Sequence, residues 1–118
     1  MEVTDNNYNK LVLDEERAIF IDFYSPSCGP CQELKKMIKD DFEEYAKNNN
    51  VLVLTCDISR NQKLAEKFKI RSVPFTIMVT KDKKFKDPQM GLQDPYYYYN
   101  LIEKYNGKKK SLLKKIFF

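Results

Sequence analysis

The stretch that most restricts how this chain can fold runs from Ala18-Ile19-Phe20-Ile21-Asp22-Phe23-Tyr24 through Ser25-Pro26-Ser27 to Cys28-Gly29-Pro30-Cys31. Arg17 to Tyr24 is apolar on both faces, as a central strand of a covered sheet is. From Cys31 to about Lys47, Leu34, Ile38, Phe42 and Tyr45 recur on one stripe while Lys35, Lys36, Lys39, Glu43 and Glu44 fall elsewhere, the pattern of a core-facing helix. Two cysteines therefore stand where a buried strand turns into a helix. A thiol at a helix N-terminus meets unpaired backbone N–H groups and the positive end of the helix dipole, and both favour the reactive thiolate. This makes Cys28 the candidate nucleophile. Cys31, in the first helical turn, is placed to attack a disulfide formed at Cys28 and release what was bound there. Pro30 suits a first turn, where its missing N–H costs nothing, and Gly29 leaves the sulfur uncrowded.

Cysteines three apart are also half of a zinc site. Zinc wants four ligands, and the chain has no His and only Cys56 besides the pair, so a fourth is missing. Three cysteines, two of them in one short motif, also argue against a structural disulfide framework. Cys56 ends a second apolar run, Val51 to Cys56, where a cysteine acts as a small hydrophobe, with a regulatory thiol as the other reading. Asp22, within an apolar strand, is costly unless it is paired or reaches water at the strand end.

Length allows one domain with a single core at 118 residues, and no stretch approaches the roughly 20 apolar residues of a membrane helix. Thr4 is a plausible N-cap for a helix from Asp5 to Leu13, leaving only Met1 to Val3 for any preceding strand. Ser59 is read as the N-cap of a helix carrying Leu64, Ala65 and Phe68 on one face. Phe75 to Val79 is a third strand, Lys81 to Lys84 a hairpin turn, and Phe85 to Met90 an edge strand, because Pro88 can donate no ladder hydrogen bond. Asp94 caps, and Pro95 opens, a last helix to Tyr105 with Tyr98, Leu101, Ile102 and Tyr105 toward the core. Strands alternating with helices predict an α/β sandwich with a mostly parallel sheet and an antiparallel hairpin at one edge.

Asp22-Phe23-Tyr24 through Cys28-Gly29-Pro30-Cys31, followed by Val73-Pro74 and Gly91, resembles the thioredoxin family, and the likeness spans about Thr4 to Tyr105. It implies the thioredoxin fold: a central mixed sheet of four strands plus a short N-terminal stub, with helices on both faces. It implies that Asp22 lies buried beneath Cys31 and accepts its proton, which calls for a raised pKa. Pro74 would be a cis-proline facing the cysteines. Val73 would offer its backbone to an extended substrate segment, and Gly29, Pro30 and Gly91 would complete a flat apolar patch. Disulfide-containing protein substrates, a monomeric state, no metal or bound cofactor, and re-reduction by an NADPH-dependent flavoprotein, thioredoxin reductase, are likewise implied.

The sequence departs from the family pattern in three places. Lys36 stands where a proline usually kinks the long helix, so a straighter helix is expected. Val51 to Cys56 lacks the lysine that usually neighbours the buried aspartate, so Asp22 is expected to go without its cationic neighbour. Ser27 stands where Trp usually precedes the first cysteine, which makes the docking surface smaller and more polar.

Residues 1–106 are read as the domain and 107–118 as a basic amphipathic tail. Up to Gly107 the chain has 16 Lys and Arg against 17 Asp and Glu, so the formal charge of +4 comes from the tail. The tail reads as an extension packed on the domain or frayed, with membrane contact as the less favoured alternative. Tyr96 to Tyr99, at helical spacing, reads as core plus surface rather than as a nucleic-acid platform. Met1 to Asn7 has neither a basic nor an apolar region, and a cytoplasmic location is expected. The functional reading is a thiol–disulfide oxidoreductase that reduces protein disulfides through Cys28 and Cys31. The alternatives are an exported or partner-dedicated oxidant or reductase, and a binding module with idle cysteines.

Overall fold

The computed structural model describes residues 1–107. Four strands, β1 (Ala18–Tyr24), β2 (Val51–Asp57), β3 (Phe75–Val79) and β4 (Phe85–Met90), form one sheet in the order β2-β1-β3-β4. A parallel bridge between Glu2 and Thr55 adds the expected stub beyond β2. β1 is central, all seven of its residues are buried, and it pairs parallel with β2 but antiparallel with β3. This is the mixed four-stranded sheet that the resemblance implies, while the mostly parallel sheet read from the alternation of strands and helices is corrected, since only β1 and β2 run parallel. The reason lies in the connection. Between β2 and β3 the only helix, α3 (Gln62–Lys67), has six residues, about 9 Å of rise. β2 has seven residues, about 23 Å of strand. With so short a helix in the connection, the chain turns back near the end of β2, and β3 runs antiparallel to β1.

Side-chain alternation along β1 sends Ile19, Ile21 and Phe23 to one face, where they pack with Val12, Leu54, Cys56, Leu64 and Phe68. Ala18 and Phe20 go to the other face, against Leu34, Ile38, Phe42, Ala46, Tyr98 and Ile102. The second face is covered by α1 (Gly29–Met37), α2 (Glu43–Asn48) and α4 (Pro95–Lys104). β4 is mostly exposed at the edge. Its pairing with β3 shifts register between Thr76 and Met78, and Asp87, just before Pro88, has φ of 54°.

Three local expectations are corrected. The first helical stretch is a π-helical turn, Asn9–Leu13, rather than a helix from Asp5, although Thr4 Oγ1 does accept from the N–H of Asn7 at 3.2 Å. Ser59 does not cap α3. Its hydroxyl donates to Asp57, Asn61 holds the N-cap position without a side-chain bond to the helix, and Asp5 reaches across to accept from the N–H of Leu64 at 2.9 Å. Finally, α1 and α2 are joined through a π-helical segment, Ile38–Phe42, despite the missing proline. The buried residues Leu34, Ile38, Phe42 and Ala46 are spaced strictly by four. On an α-helix such a row drifts around the axis by about 40° per step, and one wider turn takes up the drift. Tyr45, expected in this stripe, is only half-buried, and Ala46 takes its place in the core.

Asp94 caps α4 as read, its carboxylate accepting from the N–H of Tyr96 at 2.9 Å. Gly107, the first residue of the expected tail, is buried; a side chain there would meet Asn50 and Lys81. Residues 108–118, and with them the reading of an amphipathic tail, lie outside the described residues.

Candidate active site

β1 delivers the chain to the end of the sheet at Tyr24, and Ser25 to Ser27 turn it into α1. Cys28 is the N-cap of α1 with extended backbone (φ −90°, ψ 114°), and Pro30 falls in the first turn as predicted. The Sγ of Cys28 accepts a hydrogen bond from the N–H of Cys31 at 3.2 Å. This N–H, aimed at the sulfur from the positive end of a helix, favours negative charge there. Cys28 and Cys31 are joined in a disulfide, with Cα atoms 5.2 Å apart. Cys28 is half-buried and Cys31 fully buried, so only one sulfur of the pair is open to a large substrate. Gly29 and Pro30 are exposed beside it, and a Cβ at Gly29 would meet nothing within 4 Å.

The start of β3 closes the other side. The Val73–Pro74 peptide bond is cis, and the Val73 carbonyl oxygen lies 3.7 Å from Cys28 Sγ. Gly91, with φ of 83°, donates its N–H to the Pro74 carbonyl at 2.8 Å. The half-buried Cys28 and Val73 thus meet over the buried Cys31 and Pro74, and Gly91 is tied to Pro74. Sequence reasoning missed the residues flanking Gly91: Met90 and Leu92 are exposed large apolar side chains. Read only as the end of an edge strand, Met90 gave no hint of this.

Asp22 lies on the face of β1 that α1 covers, with no exposed surface. Its cross-strand neighbours are Thr55 and Thr76, yet neither carboxylate oxygen finds a hydrogen-bond partner among the described residues. Burial pushes its pKa up to about 7, as expected, with the Lys35 charge pulling down and the Glu2 charge pushing up. The expectation that Asp22 lacks a cationic neighbour is thereby corrected: the cation comes from α1 instead of β2. Lys35 is four residues after Cys31 and so shares its helix face, a signal present in the sequence. Cys56 is free and buried, and burial, with several nearby carboxylates, raises its thiol pKa to about 12. That suits the inert reading of this cysteine.

Among the described residues no group of three or more His, Cys, Asp or Glu side chains could hold a metal ion, and no helix is long and apolar enough to cross a membrane. Of the tyrosine run, Tyr98 is fully buried and Tyr96 is 79% exposed, while Tyr99 donates to Asp41 at 2.5 Å.

A half-open cysteine capping a helix, tied to a buried partner one turn on, in a mixed α/β sandwich, defines a thiol–disulfide oxidoreductase. Comparison with known proteins places it more narrowly. The family model Thioredoxin matches residues 1–96. Thioredoxin of Rickettsia felis is 36% identical over 91 residues, covering 77% of this chain and 84% of that protein. Thioredoxin of Chlorobaculum thiosulfatiphilum is 30% identical over 90 residues, covering 76% and 81%. Among solved structures, a point-mutant thioredoxin from Halobacterium salinarum superposes with a TM-score of 0.73 at 28% identity, over 90% of this chain and 89% of that one. The chain belongs to the thioredoxin family.

Proposed function

We propose that this oxidoreductase works as a reductant of protein disulfides, with Cys28 as nucleophile, Cys31 as resolving thiol and Asp22 as proton acceptor. The observation that carries this reading is the division of labour at the helix start: Cys28 is half-open with an N–H at its sulfur, while Cys31 is buried. In the reduced state the Cys28 thiolate attacks one sulfur of a substrate disulfide. That S–S bond breaks, a mixed disulfide forms, and the first substrate sulfur leaves as a thiolate that takes up a proton. Cys31 then gives its proton to the Asp22 carboxylate and attacks Cys28 Sγ. The second substrate sulfur leaves, two electrons have passed to the substrate, and the Cys28–Cys31 disulfide remains.

Asp22 suits its role because a base working near neutrality needs a pKa near 7, and burial supplies it. The Val73 backbone, beside Cys28, suits short β-type pairing with an extended substrate segment. Gly29, Pro30 and Gly91, with Met90 and Leu92, form the apolar ground on which that segment rests. The domain is residues 1–106, acting as a monomer. We place it in the cytoplasm, where an NADPH-dependent flavoprotein, thioredoxin reductase, restores the dithiol; a free third cysteine is in keeping with a reducing compartment. No imidazolium is available to stabilise the thiolate strongly, since the chain has no His, and this favours a reductant over an oxidant.

The reduction potential of the Cys28–Cys31 pair tests the direction. Equilibration in graded thiol–disulfide buffers, with free thiols counted, is expected to give about −270 mV, the thioredoxin scale. A potential above about −180 mV would make the protein an oxidant or isomerase and defeat both the direction and the location proposed.

A further inference from the structure

A row of polar side chains crosses the otherwise apolar sheet face beneath α1. Reading across the strands, Glu2 of the stub stands beside Thr55 of β2, Thr55 beside Asp22 of β1, and Asp22 beside Thr76 of β3. The outer end of the row is tied together. Glu2 Oε1 accepts from the Tyr24 hydroxyl at 2.7 Å and from the Thr55 hydroxyl at 2.9 Å. Lys35 hangs over it from α1, its Nζ 3.7 Å from the centre of the Tyr24 ring and 3.9 Å from Glu2 Oε1. The inner end is bare, since Asp22 and Thr76 have no partners for their buried oxygens among the described residues. The Glu2 side chain is 47% exposed and that of Lys35 26%, and Glu2 and Tyr24 line an open cleft with Thr4, Asp57 and Arg60. One end of the row thus meets water and the other is sealed on the sheet face that α1 covers.

We infer that Lys35 and Glu2 are positioning residues through which the protein sets when Asp22 takes and releases its proton, Lys35 favouring the carboxylate and Glu2 opposing it. This rests on the reading of Asp22 as proton acceptor for Cys31. The lysine does not form a simple salt bridge with the base. It is shared: stacked on Tyr24 and drawn toward Glu2, it stays near enough to stabilise a charge on Asp22, while Glu2 offsets part of that help. Among the described residues, the other ionisable groups around Asp22 are Tyr24 on its own strand, Cys56 and Asp57 on β2, Tyr98 on α4 and the cysteine pair on α1. Asp57 sits at the strand end with Arg60 within 4.0 Å, and the Cys28 thiolate of the reduced state is common to every variant compared. Lys35 and Glu2 are the two charges through which a substitution moves Asp22, and they act in opposite directions.

The test is a titration of the Asp22 carboxyl carbon by NMR in the reduced protein, run beside the pH profile of the single-turnover resolution step. Lys35→Met is expected to move the Asp22 midpoint up by about one pH unit and Glu2→Gln to move it down by about half a unit, while Lys35→Arg restores it. The acid limb of the resolution rate should move with it. An Asp22 midpoint unmoved in both Lys35→Met and Glu2→Gln would overturn the inference. Should Lys35→Met fail to fold, Glu2→Gln decides alone, since that side chain is 47% exposed and the change keeps its size and shape. A midpoint that moves while the rate profile stays fixed upholds the role of Lys35 and Glu2 and removes Asp22 from the exchange instead.

Discussion

Replacing Cys28 with Ser is expected to bring disulfide reduction down to the uncatalysed background, because only a thiolate at that position opens the substrate bond. Cys31→Ser is expected to behave differently. Its Cys28 can still attack, but nothing inside the protein releases the product, so a mixed disulfide with substrate should accumulate and be visible by non-reducing gel electrophoresis and mass spectrometry. Insulin or a small aromatic disulfide serves as substrate for both variants. Reduction no faster than the uncatalysed background in the unaltered protein itself would make this chain a binding module on a thioredoxin scaffold. Trapping by Cys28→Ser through Cys31 would reverse the two roles. The half-open Cys28 and closed Cys31 of the structure favour Cys28 as the attacking sulfur.

The second large effect concerns stability against pH. Asp22 has no exposed surface and no hydrogen-bond partner for either carboxylate oxygen among the described residues, and its pKa rises from 3.8 to about 7. Between those values the folded protein holds a proton that the unfolded chain has lost, so the folded state binds more protons and stability falls as pH rises. The loss begins near the unfolded value, is complete above the folded one, and amounts to about 4 kcal/mol. Asp22→Asn removes it. Denaturation by urea at pH 4.5 and at pH 8 should show the unaltered oxidised protein losing several kcal/mol across that interval and the Asn variant losing far less. Glu15 shifts the opposite way, its hydrogen bond with Arg17 lowering it to about 2, but that effect lies below pH 4.5 and is common to both proteins. Equal pH slopes in the two proteins would show that the Asp22 carboxylate is hydrated or paired in solution. Such instability at the working pH is what a buried base costs, and it accords with the frequent conflict between stability and function at active sites.

The cysteine site was legible in the sequence because its determinants are local. A buried strand, a three-residue turn and a proline in the first turn of an amphipathic helix fix where both sulfurs go without reference to the rest of the fold. Pro88 and Asp94 were legible for the same reason, since each acts on the backbone next to it. The features misread were those decided at a distance. Ser59 looked a sound cap for α3, but Asp5, 59 positions from Leu64, is brought there by the stub that pairs beside β2. The direction of β3 depends on how far a six-residue helix can carry the chain, a length that the motif spacing did not disclose. Lys35 was overlooked because a cation for Asp22 was sought on the neighbouring strand, while the spacing of four from Cys31 already placed one overhead. Only the relative heights of α1, β1 and the stub, which no local pattern encodes, join Lys35, Tyr24 and Glu2 into one group.

The central sheet also works as a partition. Cys31 belongs to the side of α1 and Leu34, whereas Cys56 packs on the opposite face with Leu54, Ile21 and Phe23. An intact sheet leaves no route for the third sulfur to meet the other two, so the disulfide of the folded chain has one possible pairing and cannot scramble. The same wall turns Cys56 into an internal clock. An alkylating reagent should take Cys28 at once in the reduced protein and Cys56 only as fast as the sheet opens, so that the lag reports the free energy of opening the core.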